Sequence, residues 1–241
     1  MIKLVSCLRR PSHVSAEAFT EHWTGHHAYL LERVRPLRGY VQYPVVGGNP
    51  MSREAVGQVE PFDGFEAWWW DSLDSLHDAR EKDADLRAAL EDREYFIDGT
   101  RSLTCVVEEH VVTEPEGESG IVLVECHHHP PQGSRQAFQE SWLDVHGEFG
   151  RRIGAMGLMS GYLQNHVVSK LPPATCAELG LDQDRYDGIG MAYFESVPIL
   201  QAMATRPVVT EEAFSAERNF SDPAYLVSLL AHRRVVKTLV R

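Results

Sequence analysis

Residues 2–7 of this chain are Ile-Lys-Leu-Val-Ser-Cys, and residues 121–126 are Ile-Val-Leu-Val-Glu-Cys, a near repeat 119 positions later. The same offset carries a helical pattern onto its copy: Phe19, Trp23 and His27 fall on Phe138, Trp142 and His146. Internal similarity at a fixed spacing indicates that one structural unit occurs more than once. We therefore expect two copies of one fold in the 241 residues.

The register of the repeat drifts by a few inserted residues but persists toward the end of the chain. Tyr40 and Gln42 fall on Tyr162 and Gln164 at an offset of 122, and Trp69 falls on Tyr193 at an offset of 124. The halves are therefore residues 1–112 and 121–241, joined by residues 113–120, whose polar composition with Pro and Gly is typical of a linker. Each half is small for an independent core, so we expect the two to bury a shared face as a pseudo-dimer.

Each half has the pattern of a strand, a helix, two strands, a helix and a final strand. In the first half, residues 2–8 predict a strand, and Ser15 precedes a helix in which apolar residues recur at helical spacing before Pro36. Ser72 begins the second predicted helix. This order is that of the ferredoxin-like unit. The predicted fold is α+β, with two ferredoxin-like βαββαβ halves forming an intrachain pseudo-dimeric α+β barrel that encloses a small apolar ligand.

The composition narrows the classes of partner. The chain has 23 Lys and Arg against 35 Asp and Glu, a net charge of −12, and no run of basic residues. Nucleic acids and anionic membranes bind clustered positive charge, so neither is an expected partner. The N-terminus lacks the residue order of a signal peptide, and the four cysteines form no CxxC pair, which together favour a cytoplasmic protein with reduced thiols.

Several of these motifs, in this order and in duplicate, resemble the EthD family of dimeric α+β barrel proteins. They are the Phe-x3-Trp-x3-His helix at residues 19–27 and 138–146, Gly-Tyr-Val-Gln at 39–42, Gly-Tyr-Leu-Gln-Asn-His-Val at 161–167, and Asp-Gly-Phe-Glu-Ala-Trp-Trp-Trp at 63–70. The resemblance implies a pocket for a hydrophobic, often aromatic or polyketide-like molecule. Similar barrels contain oxygenases, isomerases, cyclases and lyases that use no cofactor, so it does not name a reaction. Family members usually build the barrel from two chains, whereas here one chain supplies both halves.

Histidines and tyrosines are the candidate catalytic residues. His27 and His146 lie on the apolar stripe of their helices, with Leu30 and Val34 continuing the first stripe. Burial there would keep the imidazole neutral, as a general base requires; the alternative is a structural histidine that binds a backbone carbonyl. In the second half Tyr162, Gln164 and His166 alternate onto one strand face, which would supply a hydroxyl, an amide and an imidazole if it lines the barrel. The equivalent tyrosine of the first half is Tyr40.

Aromatic and amide side chains are the candidate substrate-binding residues. The set comprises Trp23, Trp142, Gln42, Gln164, Trp69 and Tyr193. The aromatic residues of 68–70 and 192–194 are expected to build core and pocket wall rather than a cofactor site. The sequence contains no phosphate-binding glycine loop and no nucleophile elbow, so we predict no cofactor.

Three further patterns have a functional and a structural interpretation. His127, His128 and His129 could ligate a metal, but they end a strand, and a position at the surface or the pocket mouth is favoured. His22 and His26 have metal-compatible spacing without the Glu of a zinc protease motif. Asp98 and Asp222 recur after phenylalanine, where a helix or turn cap is favoured over proton transfer. We predict no metal.

Three hypotheses for function follow. The first is a cofactor-independent enzyme that performs lyase, isomerase or cyclase chemistry on a hydrophobic aromatic or polyketide-like molecule, using His27, His146 or His166 as base. The second is a cofactor-independent oxygenase of anthrone-like substrates, and the third is a non-catalytic binding protein for a hydrophobic intermediate. The sequence leaves open the substrate, which half is active and whether the pseudo-dimer pairs again as a homodimer. Residues 47–64 and 171–188 form matching long loops that could act as lids.

Overall fold

The computed structural model describes residues 1–50, 59–116, 120–168, 171–206, 209 and 221–240. The first half contains β1 (Ile2–Leu8), α1 (Ala16–His22), a π-helical turn (Trp23–His27), α2 (Ala28–Arg33), β2 (Gly39–Gly48), β3 (Gly64–Trp70), α3 (Leu73–Lys82), α4 (Ala84–Phe96) and β4 (Leu103–Thr113). The second half contains β5 (Ile121–His127), α5 (Arg135–Ser141), a π-helical turn (Trp142–His146), α6 (Gly147–Ala155), β6 (Gly161–Val167), α7 (Pro173–Leu179), β7 (Gly188–Phe194), α8 (Val197–Ala204), β8 (Val227–His232) and β9 (Arg234–Lys237). No helix within the described residues has both the length and the apolar character needed to cross a membrane.

The strands close into one antiparallel barrel. Their order is β3-β1-β4-β6-β7-β5-β8-β2, and the pairing of β2 with β3 completes the ring of eight, while β9 adds to β2. β4 pairs with β1 at its start and with β6 of the second half at its end. β8 pairs with β5 along one edge and with β2 of the first half along the other. Each half therefore completes the sheet of the other, and the predicted single-chain barrel is confirmed.

The helix starts follow from local capping. The side chains of Ser15, Ser72 and Ser134 each accept a hydrogen bond from the backbone N–H three residues later. Such caps satisfy one of the N–H groups that the first turn of a helix leaves without a partner. The starts predicted at Ser15 and Ser72 are therefore confirmed.

The interior of the barrel is a packed core. Because successive strand residues point to opposite faces, Val5 and Cys7 of β1 point inward with their counterparts Val124 and Cys126 of β5. Aromatic side chains such as Phe65 fill the same cluster. The expectation was a ligand enclosed by the barrel; within the described residues, apolar side chains fill this space instead, as in other small barrels.

The outer faces of the sheet lie under the helices and form two separate helix–sheet interfaces. In the first, Leu4 and Trp70 pack with Leu31, Leu76 and Leu86 of the covering helices. In the second, the sheet residues Leu123 and Phe194 pack with the helix residues Ile153 and Leu200. Polar side chains of the sheet that point outward are therefore enclosed between two layers.

A π-helical turn interrupts the first long helix of each half at the same place. A π turn inserts one residue and rotates everything that follows. The buried stripe therefore continues through Leu31, which is fully buried, whereas Leu30 is only half-buried. Leu30, which the uniform helical period placed on the stripe, packs against the first helix–sheet interface from this half-buried position.

Candidate functional site

The predicted site residues lie on two sides of the sheet. Those on the outer face, beneath the helices, are Trp23, His27, Tyr40, Gln42, Trp142, His146, Tyr162, Gln164 and His166. Trp69 and Tyr193 point instead into the barrel core, where the hydroxyl of Tyr193 lies 3.1 Å from that of Tyr43. The sheet separates these two from the others, so they cannot line the same pocket. The strand face that carries Tyr162, Gln164 and His166 likewise points under the helices and does not line the barrel interior.

The two glutamines hold the π-helical turns onto the sheet. Nε2 of Gln42 donates to the carbonyl oxygen of Trp23 at 2.8 Å, and Nε2 of Gln164 donates to that of Trp142 at 2.9 Å. Each amide also donates to the tyrosine two residues earlier on its strand. The glutamines thus position the residues of the π turn, a kind of helix defect that is frequent at functional sites.

His27 is the last residue of the first π turn and is completely buried. Its Nδ1 lies 2.8 Å from Oδ2 of Asp92 on α4. Burial lowers the pKa of His27, although the bond to Asp92 acts in the opposite direction. A neutral imidazole whose Nδ1–H donates to the carboxylate has a lone pair on Nε2, and this buried atom has no hydrogen-bond partner in the structure.

Asp92 connects further histidines to the same point. Its Oδ1 lies 2.8 Å from Nε2 of His22 and 3.7 Å from Nε2 of His26. Burial opposes the ionisation of Asp92, but the bonds to His27 and His22 outweigh it and lower the pKa of the carboxyl group. His22 and His26, which sequence spacing made a metal-compatible pair, therefore surround the carboxylate that orients His27.

A second network lies on the sheet side of the same interface. Glu66 of β3 is completely buried, and its Oε2 accepts hydrogen bonds from the hydroxyl of Tyr40 at 2.8 Å and from Nε1 of Trp23 at 3.2 Å. Its Oε1 accepts from Arg93 of α4. Burial would raise the pKa of Glu66, but the nearby Arg93 and His27 outweigh it and lower that pKa. Burial and the charge of Glu66 hold the pKa of Tyr40 well above its ordinary range, so this hydroxyl keeps its proton.

Asp92 and Arg93 are consecutive residues that join the two networks. Asp92 contacts the π turn through His27, and Arg93 contacts the sheet through Glu66. Neighbouring residues on an α-helix diverge by about 100°, which is why one can face the adjacent helix while the other faces the sheet. The first half therefore contains an imidazole–carboxylate pair beside a buried Glu–Arg–Tyr cluster.

Among the residues that the structure describes, the equivalent interface of the second half has no ion pair at the sheet. Gly190 takes the position of Glu66, and Nε1 of Trp142, buried, has no hydrogen-bond partner in the structure. The Trp142 ring stacks on His166 with centroids 5.1 Å apart. Burial lowers the pKa of His146 to about 4 and that of His166 to about 3, so both rings are neutral near pH 7.

His127 joins this second cluster, and the expectation that it lies at the surface or a pocket mouth is wrong. Only 2% of the residue is exposed, and its ring centroid is 5.3 Å from that of Trp142. Nδ1 contacts the hydroxyl of Ser221 at 3.1 Å. Burial, with a smaller effect of His146, lowers the pKa of His127 to about 3. The strand continues through residue 127, and its alternation points this side chain under the helices.

The second half has a carboxyl group, that of Glu125, on the strand opposite Gly190. Glu125 of β5 is the direct partner of Gly190, as Ser6 of β1 is the partner of Glu66. Glu125 accepts a hydrogen bond from the hydroxyl of Ser228 at 2.6 Å, while burial raises its pKa. The two halves thus place their carboxyl groups on opposite members of the same cross-strand pair, one tied to an arginine and one to a serine.

His128 and His129 lie near Asp187, within distances compatible with a metal ion. Asp187 already accepts from the backbone N–H of His129 at 2.6 Å, and its other oxygen accepts from Nε of Arg135 at 2.7 Å. In the first half, Asp63 accepts the backbone N–H of Arg10 in the same way. A duplicated carboxylate that holds a loop to a strand end explains this cluster without a metal.

Asp98 and Asp222, each two residues after a phenylalanine, act as caps, which is the role that the sequence analysis favoured. Oδ1 of Asp98 accepts from the backbone N–H of Thr100 at 3.0 Å, and Oδ1 of Asp222 accepts from that of Ala224 at 2.9 Å. The interpretation of both as turn caps is confirmed. Neither contacts the His27 cluster through these bonds.

Sequence reasoning missed Glu66, Asp92 and Arg93 as site residues. Glu66 carried a signal, because it is an acid in the otherwise apolar segment Phe-Glu-Ala-Trp-Trp-Trp, whose residues are all buried. A charge in a strand buried on both faces needs a partner. Asp92 and Arg93 carried no such signal, because they lie in a helix rich in charged residues.

The closed eight-stranded sheet with helices outside defines an α+β barrel protein built from a duplicated unit. The chain belongs to the EthD family, since the sequence profile of the EthD domain matches residues 11–100 and again residues 130–224. The predicted family and its tandem duplication are confirmed.

The first two of the following solved structures share this fold over nearly the whole chain. An anthrone oxidase-like protein is 12% identical with a TM-score of 0.62, over 99% of this chain and 94% of that one. A protein assigned as a monooxygenase from Lactobacillus acidophilus is 7% identical with a TM-score of 0.54, over 98% and 95%. An EthD family protein from Bacillus halodurans is 26% identical over 46% of this chain and 99% of its own, with a TM-score of 0.37. No curated protein sequence matches the chain.

Proposed function

We propose that the chain is a cofactor-independent enzyme that removes a proton from a hydrophobic, aromatic or polyketide-like molecule, with His27 of the first half as the base. The observation that carries this proposal is the buried Nε2 of His27, which has no hydrogen-bond partner among the described residues while Nδ1 is held by Asp92. A positioned, neutral imidazole is the usual general base of enzymes that work near pH 7. In this proposal each half is a ferredoxin-like unit, and the first is the active one.

The surrounding side chains have separable roles in the proposed step. Nε2 of His27 takes a proton from a carbon next to a carbonyl group; the electron pair of that C–H bond forms a C=C bond, and the π pair of the carbonyl moves to its oxygen to give an enolate. Asp92 stabilises the imidazolium and fixes the ring orientation, as the third member of a catalytic triad does. Return of the proton to another carbon gives isomerisation, loss of a leaving group gives elimination, and attack on a second carbonyl gives cyclisation.

Tyr40, Trp23 and Gln42 are proposed to position substrate and base. Tyr40 is held protonated beside Glu66. Trp23 and Gln42 fix the π turn that ends at His27. In the second half, the corresponding residues proposed to contact a ligand are Tyr162, His146, His166, Trp142 and Gln164. The second half has Gly190 at the sheet position where the first half has Glu66, so we propose that the second half binds ligand without catalysing the reaction.

An oxygenase is the second candidate. It uses the same proton abstraction, but the carbanion then reacts with O₂. The fold similarity to an anthrone oxidase-like protein over nearly the whole of both chains supports keeping it as a candidate. The third hypothesis, a binding protein for a hydrophobic intermediate, predicts tight binding of the same compounds without turnover.

The test is a panel of anthrones, naphthols and polyketide-like 1,3-diketones, followed by ultraviolet absorbance and by an oxygen electrode. His27→Gln should reduce turnover of an active compound at least a hundredfold, the usual size of a lost general base. The matched control is the exposed His13→Gln, which should leave turnover unchanged. Oxygen consumption that matches product formation assigns the oxygenase. If folded His27→Gln turns over the compound as fast as the unsubstituted chain, His27 is not the base. If the chain binds these compounds without turnover, it is the binding protein of the third hypothesis.

A further inference from the structure

The side chain of Gln42 is completely buried between the first π-helical turn and the sheet. Its Nε2 donates to the carbonyl oxygen of Trp23 at 2.8 Å and to the hydroxyl of Tyr40 at 2.9 Å, which uses both hydrogen atoms of the amide nitrogen. The amide oxygen points away from the nitrogen and can only accept a hydrogen bond. The orientation of this amide, and with it the anchor of the turn, therefore depends on a donor that faces Oε1.

Arg234 supplies this donor from the second half of the chain. Its Nη1 donates to Oε1 of Gln42 at 2.8 Å, and the two residues are direct partners in the pairing of β9 with β2. A rotated amide would place its NH₂ group against the guanidinium and its oxygen against the carbonyl oxygen of Trp23, so that both contacts would become repulsive. A charged donor also binds an amide oxygen more strongly than a neutral donor does. Arg234 therefore fixes the orientation in which Gln42 holds the turn.

The second half provides the corresponding donor in a different way. Oε1 of Gln164 lies 3.1 Å from Nε2 of His166, a residue of the same strand. The first half has Pro44 at the position of His166, and proline has no side-chain donor. The counterpart of Arg234, 124 residues earlier, is His110, which pairs with Gln164 and whose ring centroid is 4.2 Å from that of His166. The residue at this position thus reaches the glutamine network of the opposite half in both cases, and in the first half it is the donor.

We infer that Arg234 is a positioning residue for the base His27 and that it acts through Gln42. This inference rests on the proposed function. His27 is the last residue of the π turn that begins at Trp23, and Gln42 holds the carbonyl oxygen of Trp23. Without the Arg234 donor the amide can rotate, and the turn then no longer directs Nε2 of His27 in one direction. The first-half site is therefore complete only with the C-terminal strand of the second half in place.

The kinetic test compares Arg234→Met with the unsubstituted chain on a compound that the latter turns over. A misplaced base slows proton transfer more than it weakens substrate binding, so kcat should fall about tenfold or more while KM changes less than about twofold. Arg234→Lys keeps a charged donor and should recover most of kcat. The exposed Arg35→Met removes the same charge and is the matched control, which should leave both constants unchanged. Equal kcat in Arg234→Met and Arg35→Met overturns the inference.

A double variant tests whether the effect passes through Gln42. Gln42→Met removes the amide and should itself reduce kcat, so the addition of Arg234→Met should slow turnover no further, because residues that act through one contact are not additive. Losses that multiply would show that Arg234 acts elsewhere and would overturn the inference. Circular dichroism checks that each variant is folded. Arg234→Gln, whose side chain is shorter, replaces Arg234→Met if that variant does not fold.

A readout that needs no substrate separates this inference from the proposed function. Nitrogen-15 NMR shows which imidazole nitrogen carries the proton, and indole N–H signals report the surroundings of each tryptophan. Arg234→Met should shift the signals of His27 and Trp23, whereas Arg234→Lys and Arg35→Met should not. Shifted signals together with normal turnover by His27→Gln refute the proposed function alone. Unshifted signals in folded Arg234→Met, together with slow turnover by His27→Gln, refute this inference alone.

Discussion

Glu66 and Gly190 hold the same position in the two halves of the barrel, 124 residues apart, each on the sheet face that lies beneath the tryptophan of a π-helical turn. Glu66 accepts the Nε1–H of Trp23, whereas the Nε1–H of Trp142 has no acceptor in the part of the chain that the structure describes. One half therefore contains a buried ion pair and the other a set of neutral imidazoles. Duplication preserved the framework of the site and allowed its chemistry to diverge.

Glu66→Gln should lower the free energy of unfolding by about 3 kcal/mol, because it leaves the partly buried charge of Arg93 without its partner. Urea denaturation monitored by tryptophan fluorescence measures the change. The double variant Glu66→Gln/Arg93→Met should recover a large part of the loss. The exposed Glu94→Gln is the control and should change stability by less than about 0.5 kcal/mol. A double variant no more stable than Glu66→Gln would show that the ion pair is not the cause.

Stability should fall as the pH is lowered from about 7 to 5, because of the second-half histidines. Their pKa values in the folded chain are about 3 for His127, about 4 for His146 and about 3 for His166, while an unfolded histidine has a pKa near 6.5. A group with a lowered folded pKa contributes stability above the unfolded pKa and loses it as the pH drops. The loss is about 1 to 2 kcal/mol per histidine at pH 5.

The variant for this effect is His127→Leu, which copies the residue found at the equivalent Leu8 of the first half. Urea denaturation at several pH values between 7.5 and 5 gives the free energy of unfolding as a function of pH. Its slope should correspond to about one proton fewer taken up on unfolding than in the unsubstituted chain. Comparison of slopes cancels the groups that both chains share. Equal slopes would contradict the burial of a neutral His127.

Gly188→Ala should destabilise the second half by about 3 kcal/mol. A Cβ at this position would lie 2.3 Å from Cζ3 of Trp142, and Gly64 stands in the same relation to Trp23. Thermal unfolding with near-ultraviolet circular dichroism would report both the stability and the environment of the tryptophan. Gly47→Ala, where a Cβ would meet nothing within 4 Å, is the matched control. A Gly188→Ala chain as stable as this control would refute the close packing.

Gln164→Met should cost about 2 kcal/mol, because the carbonyl oxygen of Trp142 and the Nε2–H of His166 would each lose a buried partner. The side chains have similar volume, so packing changes little. Chemical denaturation measures the cost, with Gln136→Met on an exposed helix face as control. Hydrogen exchange at the π-helical turn should accelerate in Gln164→Met and not in the control. No difference between the two would show that the glutamine does not support the turn.

The repeat and its polarity pattern determined much of the fold. The copies of residues 2–7, the serine caps and the strand alternation are local or periodic features, and each predicts its element without knowledge of the others. Two copies of a half that cannot bury its own sheet imply that the halves meet, so the single-chain barrel followed from the sequence. The duplicated Trp23, His27, Tyr40 and Gln42 were also identified, because a residue that recurs in both copies stands out from its neighbours.

Only the tertiary structure decided on which side of the sheet the site lies. Strand alternation shows that Tyr40 and Gln42 share one face of their strand and that Trp69 faces away from its neighbours, but not which face meets helices and which meets the other half. The first π turn made Leu31 rather than Leu30 the fully buried residue of the stripe, and it placed His27 against Asp92, a residue 65 positions away. Contacts between residues so far apart depend on how helices dock, and no local pattern records that. The sequence therefore determined the framework and the list of candidate side chains, while the packing of α4 onto the sheet determined which of them form one site.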